Sequence, residues 1–99
     1  MESFQLLPVH PGEILLEEFL NPMEISPSKL AEDINVSITL INEIIEAKRS
    51  INAEMALRLS KYFGLSERFW LNLQIKYDLE VTKYQLKNSL ETDVKPIQI

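Results

Sequence analysis

The sequence predicts an all-α fold, a compact bundle of five helices whose last member is long. Two observations carry the prediction. Apolar residues recur at spacings of three and four in five separate stretches, the period of a helix face. Each stretch opens on a residue suited to a helix start: Pro11, Ser26-Pro27, Ser37, Asn52 or Ser66.

Pro11 fits the first helical position, where its missing N–H would have had no partner. From it Ile14, Leu15, Leu16, Phe19 and Leu20 build an apolar face, while Glu13, Glu17 and Glu18 take the start and the wet side. Asn21-Pro22 is expected to end this helix, because a residue before proline is pushed out of the helical region. Ser26 and Pro27 open a second helix with Leu30, Ala31 and Ile34 on its inner face. Asn35 falls where that helix must stop, and asparagine tolerates the left-handed conformation found there. Ser37 caps a third helix running to Glu46, with Ile41, Ile44 and Ile45 inward. Asn52 caps the fourth, in which Met55, Ala56, Leu59 and Phe63 share a face until Gly64 stops it.

Ser66 opens the last helix, where Phe69, Trp70, Leu73, Tyr77, Val81 and Tyr84 form an apolar stripe. Its front is expected to pack on the other helices, and from Tyr77 onward an interface with another chain is favoured. The segment 91–99, with Pro96 and alternating apolar residues, stays open between an edge strand, a partner-binding arm and a frayed end. Residues 1–90 read as one domain and 91–99 as its tail.

Composition narrows function mainly by exclusion. With 45% hydrophobic and 25% charged residues, the chain reads as a globular domain. It has no apolar run long enough for a membrane span. Met1-Glu2-Ser3-Phe4-Gln5 lacks the basic and apolar regions of a secretory signal, so a cytoplasmic address is expected. No cysteine is present, which removes disulfides, thiolate metal sites and a cysteine nucleophile. Gly12 and Gly64 are the only glycines, too few for a phosphate-binding loop or dinucleotide fingerprint. The single histidine, His10, cannot make a multi-histidine metal site, and no cofactor is expected.

His10 near Glu13 has no nucleophile or oxyanion donors beside it, so it is read as packing or hydrogen bonding at the first helix start. Glu17 and Glu18 diverge by about 100° around a helix and make a poor catalytic pair. An enzyme is therefore not expected. The net charge of −5 is unevenly placed: residues 1–25 hold Glu2, Glu13, Glu17, Glu18 and Glu24 without one Lys or Arg. Such a chain is repelled by nucleic acid at long range, so any DNA contact must rest on local arrangement.

That arrangement lies at residues 26–46. Two short helices flank Asn35-Val36-Ser37, and a three-residue connection of this kind is the geometry of a helix-turn-helix. Val36 supplies an apolar plug and Ala31 a small residue at the crossing. The cap at Ser37 leaves backbone N–H groups that favour a phosphate.

The run Leu30-Ala31, Ile34-Asn35-Val36-Ser37 and Ile41-Asn42-Glu43-Ile44 resembles the lambda-repressor/Cro-type helix-turn-helix. The flanks are similar to HigA-type antitoxins: His10-Pro11-Gly12-Glu13-Ile14-Leu15 before it, then Lys48-Arg49-Ser50-Ile51-Asn52-Ala53 and Ala56-Leu57-Arg58-Leu59. Phe69-Trp70-Leu71-Asn72-Leu73-Gln74 and Tyr77-Asp78-Leu79 continue it, so the resemblance spans about residues 8 to 80. It implies a homodimer that binds a palindromic operator in double-stranded DNA and represses its own operon. It also implies a small basic ribonuclease toxin of RelE-like fold as partner, for which the acidic residues 1–25 are a possible face or merely a solvated one.

Residue by residue, the resemblance puts Ser37, Ile38, Thr39, Leu40, Asn42 and Glu43 on the exposed side of the recognition helix. Ser37 and Thr39 can bond phosphate or a base, and Ile38 and Leu40 can meet a thymine methyl. Asn42 can pair with adenine or make a structural bond across the turn. Glu43 can accept from cytosine N4 or fix neighbouring side chains. Ser26, Ser28 and Lys29, with Lys48 and Arg49, are phosphate candidates, which position a protein without reading sequence. Dimerisation is placed on Trp70, Leu73, Tyr77, Val81 and Tyr84.

The family commonly carries glycine where this chain has Asn35 and Ala47, and often a polar residue where it has Leu40. A left-handed Ala47 costs about 1 kcal/mol against glycine. Two further readings stand beside the repressing antitoxin. One is a toxin-binding module with weak or no DNA reading, favoured by the acidic charge and the Ile38/Leu40 pair. The other is a repressor without a toxin.

Overall fold

The computed structural model describes residues 7–98. The signal-sequence reading of Met1 to Gln5 and the charge of Glu2 lie outside them. Six helices are present among the described residues: α1 over residues 11–23, α2 Pro27–Ile34, α3 Ile38–Ile45, α4 Ala53–Phe63, α5 Glu67–Gln85 and α6 Ser89–Asp93. The all-α expectation holds, with one short helix added in the tail. None of these helices is long and apolar enough to cross a membrane.

The starts follow local chemistry. Ser26, Ser37, Asn52 and Ser66 each accept a backbone N–H three residues on, from Lys29, Leu40, Met55 and Phe69. His10 caps α1 from two residues away: its Nδ1 accepts from Gly12 N–H at 2.9 Å. Asn35 (φ 60) and Gly64 (φ 86) close α2 and α4 in the left-handed region.

The first helix departs from expectation. It does not end at Asn21-Pro22 but runs to Met23, with Glu24 left-handed at φ 57. The reason lies one turn earlier. Leu15–Leu20 is a π-helix, and the Asn21 N–H reaches back five residues to the Leu16 carbonyl. The wider turn gives the proline ring the room that a 3.6-residue turn denies it.

Leu15, Leu20, Leu30, Ile41, Ile44, Ile51, Leu59 and Trp70 form a single core, with Ala31, Ile34, Met55 and Ala56 filling between them. Helix α5 packs on α4 and, near the start of the chain, on α1. Phe19, Phe63 and Phe69 surround Trp70 with ring centroids 5.0 to 6.0 Å away. Every residue from Thr82 to Gln98 is exposed, so the end of α5, α6 and residues 94–98 stand off the core as an arm. The radius of gyration is accordingly 16.6 Å, against about 13 Å for a compact chain of this length. No strand forms in the tail among the described residues.

Candidate nucleic-acid interface

Helices α2 and α3 pack against each other across Asn35-Val36-Ser37, and Val36 is half-buried against the core as a plug. The Val36 N–H donates to the Ala31 carbonyl, which folds the turn back on α2. Behind α3 sits Gly12. A Cβ there would lie 1.8 Å from the Ile44 carbonyl oxygen, so α1 touches the end of α3 backbone to backbone. Only glycine permits that approach, a constraint that the helical pattern does not reveal.

One face of α3 is open. Ile38 (39% exposed), Thr39 and Asn42 point to solvent, with Glu43 half-buried beside them. Spacings of three and four put these four on one side of the helix. Leu40 does not join them, contrary to expectation. It is half-buried against the core, because it lies one turn from Ile44 on the inward side. The apolar pair that invited doubt is thus reduced to Ile38.

Polar partners also sort the candidates. The hydroxyls of Ser26 and Ser37 already accept capping N–H groups, so each retains its O–H as a donor. Thr39 and Asn42 have no side-chain hydrogen bond among the described residues, so the structural bond considered for Asn42 is not made. Glu43 does fix a neighbour: its Oε1 accepts from Arg49 Nε at 2.8 Å. Lys48 stands 3.2 Å from Glu46. The Glu43 pair brings Arg49 to the open face of α3, with Lys48 exposed beside it in the following turn, while Lys29 pairs with Asp33 on α2 at 3.2 Å. Ser26, Ser28 and Lys29 are not linked to that face by any hydrogen bond or ion pair among the described residues.

Each cation therefore sits beside a carboxylate, and a phosphate must displace or share it. Asp33 is held below the usual carboxylate range, first by the Tyr62 hydroxyl 2.7 Å away and then by Lys29. Tyr62 is raised in return. The turn after α3 passes through Ala47 at φ 64, a left-handed backbone that favours glycine.

The candidates for dimerisation divide. Trp70 is fully buried in its own chain and Leu73 packs on the same core, so the first has no surface to offer a partner. Tyr77 and Val81 are half-buried; Tyr77 meets the His10 ring edge-on at 4.8 Å. Tyr84 is 66% exposed. The opposite side of α5 carries a second apolar row, Ile75, Leu79 and Leu86, all exposed. Reading one helical stripe hid the other.

The Helix-turn-helix family profile matches residues 16–70. Virulence-associated protein I of Dichelobacter nodosus is 42% identical, over 92% of this chain and 89% of that one. Antitoxin HigA-1 of Vibrio cholerae is 34% identical, over 98% and 90%. Among solved structures, Pseudomonas aeruginosa antitoxin HigA with higBA promoter superposes with a TM-score of 0.89 at 41% identity, covering 93% of this chain and 100% of that one. This chain belongs to the Helix-turn-helix family, among its HigA-type antitoxins.

Proposed function

We propose that this chain is an operator-binding repressor that acts as the antitoxin of a toxin–antitoxin pair and controls its own operon. The observation that carries the reading is the open face of α3, flanked by Lys48 and Arg49, in a fold shared with a HigA solved on its promoter. Thr39 and Asn42 supply hydrogen bonds to base edges, and Ile38 an apolar contact to a thymine methyl. Lys29, Lys48 and Arg49, with the hydroxyls of Ser26, Ser28 and Ser37, meet phosphates. The protein acts by binding rather than by catalysis, in the cytoplasm.

A palindrome requires two copies with recognition helices about 34 Å apart. The surface that supports a homodimer is the far side of α5 with the arm: Ile75, Leu79, Tyr84 and Leu86. From Lys76 to Gln98 the chain carries four basic and four acidic residues, so no net repulsion opposes self-association there. The toxin is placed elsewhere. Glu13, Glu17, Glu18 and Glu24 are exposed on α1 and its cap, without an ion pair among the described residues. That face suits a basic ribonuclease.

Titration into a labelled fragment of its own promoter, followed by anisotropy at two salt concentrations beside scrambled DNA, tests the reading. Promoter-selective binding that weakens with salt is expected. Equal, feeble binding to both fragments would transfer the function to toxin binding alone, the reading that the exposed α1 glutamates favour.

A further inference from the structure

Two polar side chains are buried among the described residues, His10 (7% exposed) and Gln74 (5%). His10 is accounted for as the cap of α1. Gln74 sits in the middle of α5, one turn after Trp70, where an unpaired amide would be costly. Both of its ends are satisfied. Oε1 accepts from the Ile51 N–H at 2.8 Å, and Nε2 donates to Asp78 Oδ1 at 2.9 Å.

Ile51 ends the connection that carries Lys48 and Arg49. Among the described residues, the hydrogen bonds from the front of that connection go to the recognition helix itself: the Ala47 N–H donates to Ile44 O, the Lys48 N–H to Glu43 O, and Arg49 Nε to Glu43 Oε1. Its rear is tied to α5 through Gln74. Asp78 decides which way the amide points, because a carboxylate only accepts and so draws the NH2 end. The carbonyl end is left facing Ile51.

We propose that Gln74 is a positioning residue for DNA binding. Through Ile51 it sets the height of Lys48 and Arg49 above the core, and Asp78 keeps it in the orientation that does so. Helix α5 also carries the apolar row assigned to the second copy, so one buried amide joins the dimer helix to the phosphate contacts. The distance between the phosphate contacts of the two half-sites then passes through this bond. The inference rests on the operator-binding reading above.

The test is a double-mutant cycle, measured by anisotropy on the promoter fragment well below the unfolding midpoint. Gln74→Met, close in size but without amide groups, is expected to weaken operator binding about tenfold, the worth of one good hydrogen bond. The salt slope should become shallower by up to about 3.6, the share of four phosphate contacts, two in each half-site. In a Lys48→Ala/Arg49→Ala background the same substitution should change neither quantity. An operator lengthened by one base pair between half-sites should be penalised less in Gln74→Met than in the unaltered protein.

An unchanged slope, or an equal loss in both backgrounds, would overturn the proposal and leave Gln74 as a core residue only. If Gln74→Met does not fold, Asp78→Ala at an exposed position frees the amide without opening the core. It should shift the slope in the same direction, and an unshifted slope would overturn the proposal as well. Failure of the unaltered protein to prefer its promoter over scrambled DNA is a separate result, which removes the operator reading and this one with it.

Discussion

The body of the molecule, up to Val81, and the arm beyond it are built from similar residues and end in opposite states. Both carry leucine, isoleucine and aromatic side chains at helical spacing. In the body, Trp70 is enclosed by Phe19, Phe63 and Phe69, and Gly12 lets α1 meet α3 without a gap. In the arm, Tyr84, Leu86, Leu90 and Val94 have no such neighbours and stay exposed. The difference teaches that apolar periodicity reports an unmet demand for burial, whereas a stable interior also needs elements placed to meet it. The body meets most of that demand within one chain, with Ile75 and Leu79 left exposed, and the arm leaves nearly all of it unmet.

The contrast can be broken by substitution, and the largest effect belongs to the body. Trp70→Ala should cost about 3–5 kcal/mol in denaturant unfolding, whereas Tyr84→Ala in the isolated monomer should stay within about 0.5 kcal/mol. Equal losses would mean that the arm is part of the core. Gly12→Ala comes next, at about 1–3 kcal/mol or more, since the new Cβ must force Ile44 and α3 away. Operator affinity should fall with it, as α3 is the helix displaced.

Acid should act on the body through His10. Burial pushes the His10 pKa below its ordinary 6.5, with Asp78 opposing more weakly, and only neutral Nδ1 can accept the Gly12 N–H. The stabilisation is therefore complete above about pH 6.5 and is lost as the pH falls from there through the lower folded value. His10→Ala should remove about 1 kcal/mol at neutral pH, as loss of a cap does, and flatten the stability profile across that window. A profile unchanged by the substitution would remove His10 as its source.

The smallest changes sharpen the comparison. Ala47→Gly relieves a left-handed residue and should stabilise by about 0.5–1 kcal/mol. Leu79→Asp on the outer row should leave monomer stability nearly unchanged but remove the dependence of the unfolding midpoint on protein concentration. A dependence that survives the substitution would move the dimer contact off this face.

Much of this architecture is legible in the residues. Ser26, Ser37, Asn52 and Ser66 cap their helices because a short oxygen-bearing side chain reaches an N–H three residues on, whatever the rest of the chain does. Asn35 and Gly64 stop helices for reasons equally local. The candidate interface was legible in position, since two caps and a three-residue turn define it, but not in detail. Leu40 turns inward because the core lies on that side. Glu43 binds Arg49 because the turn at Ala47 brings the two together, and the outer row of α5 was hidden behind the more aromatic inner one.

By itself the sequence determined where the five main helices start, where those closed by Asn35 and Gly64 stop, which faces are apolar and that a helix-turn-helix stands at residues 26–46. Those features depend on groups within about one helical turn of each other. Only the tertiary structure decided that Pro22 remains helical beyond a π turn, that Gly12 is a contact, that Trp70 is interior and that Gln74 holds Ile51. Each of these joins residues through space or through a change of helical register. Periodicity along one helix shows that a face will be covered, and only packing decides what covers it.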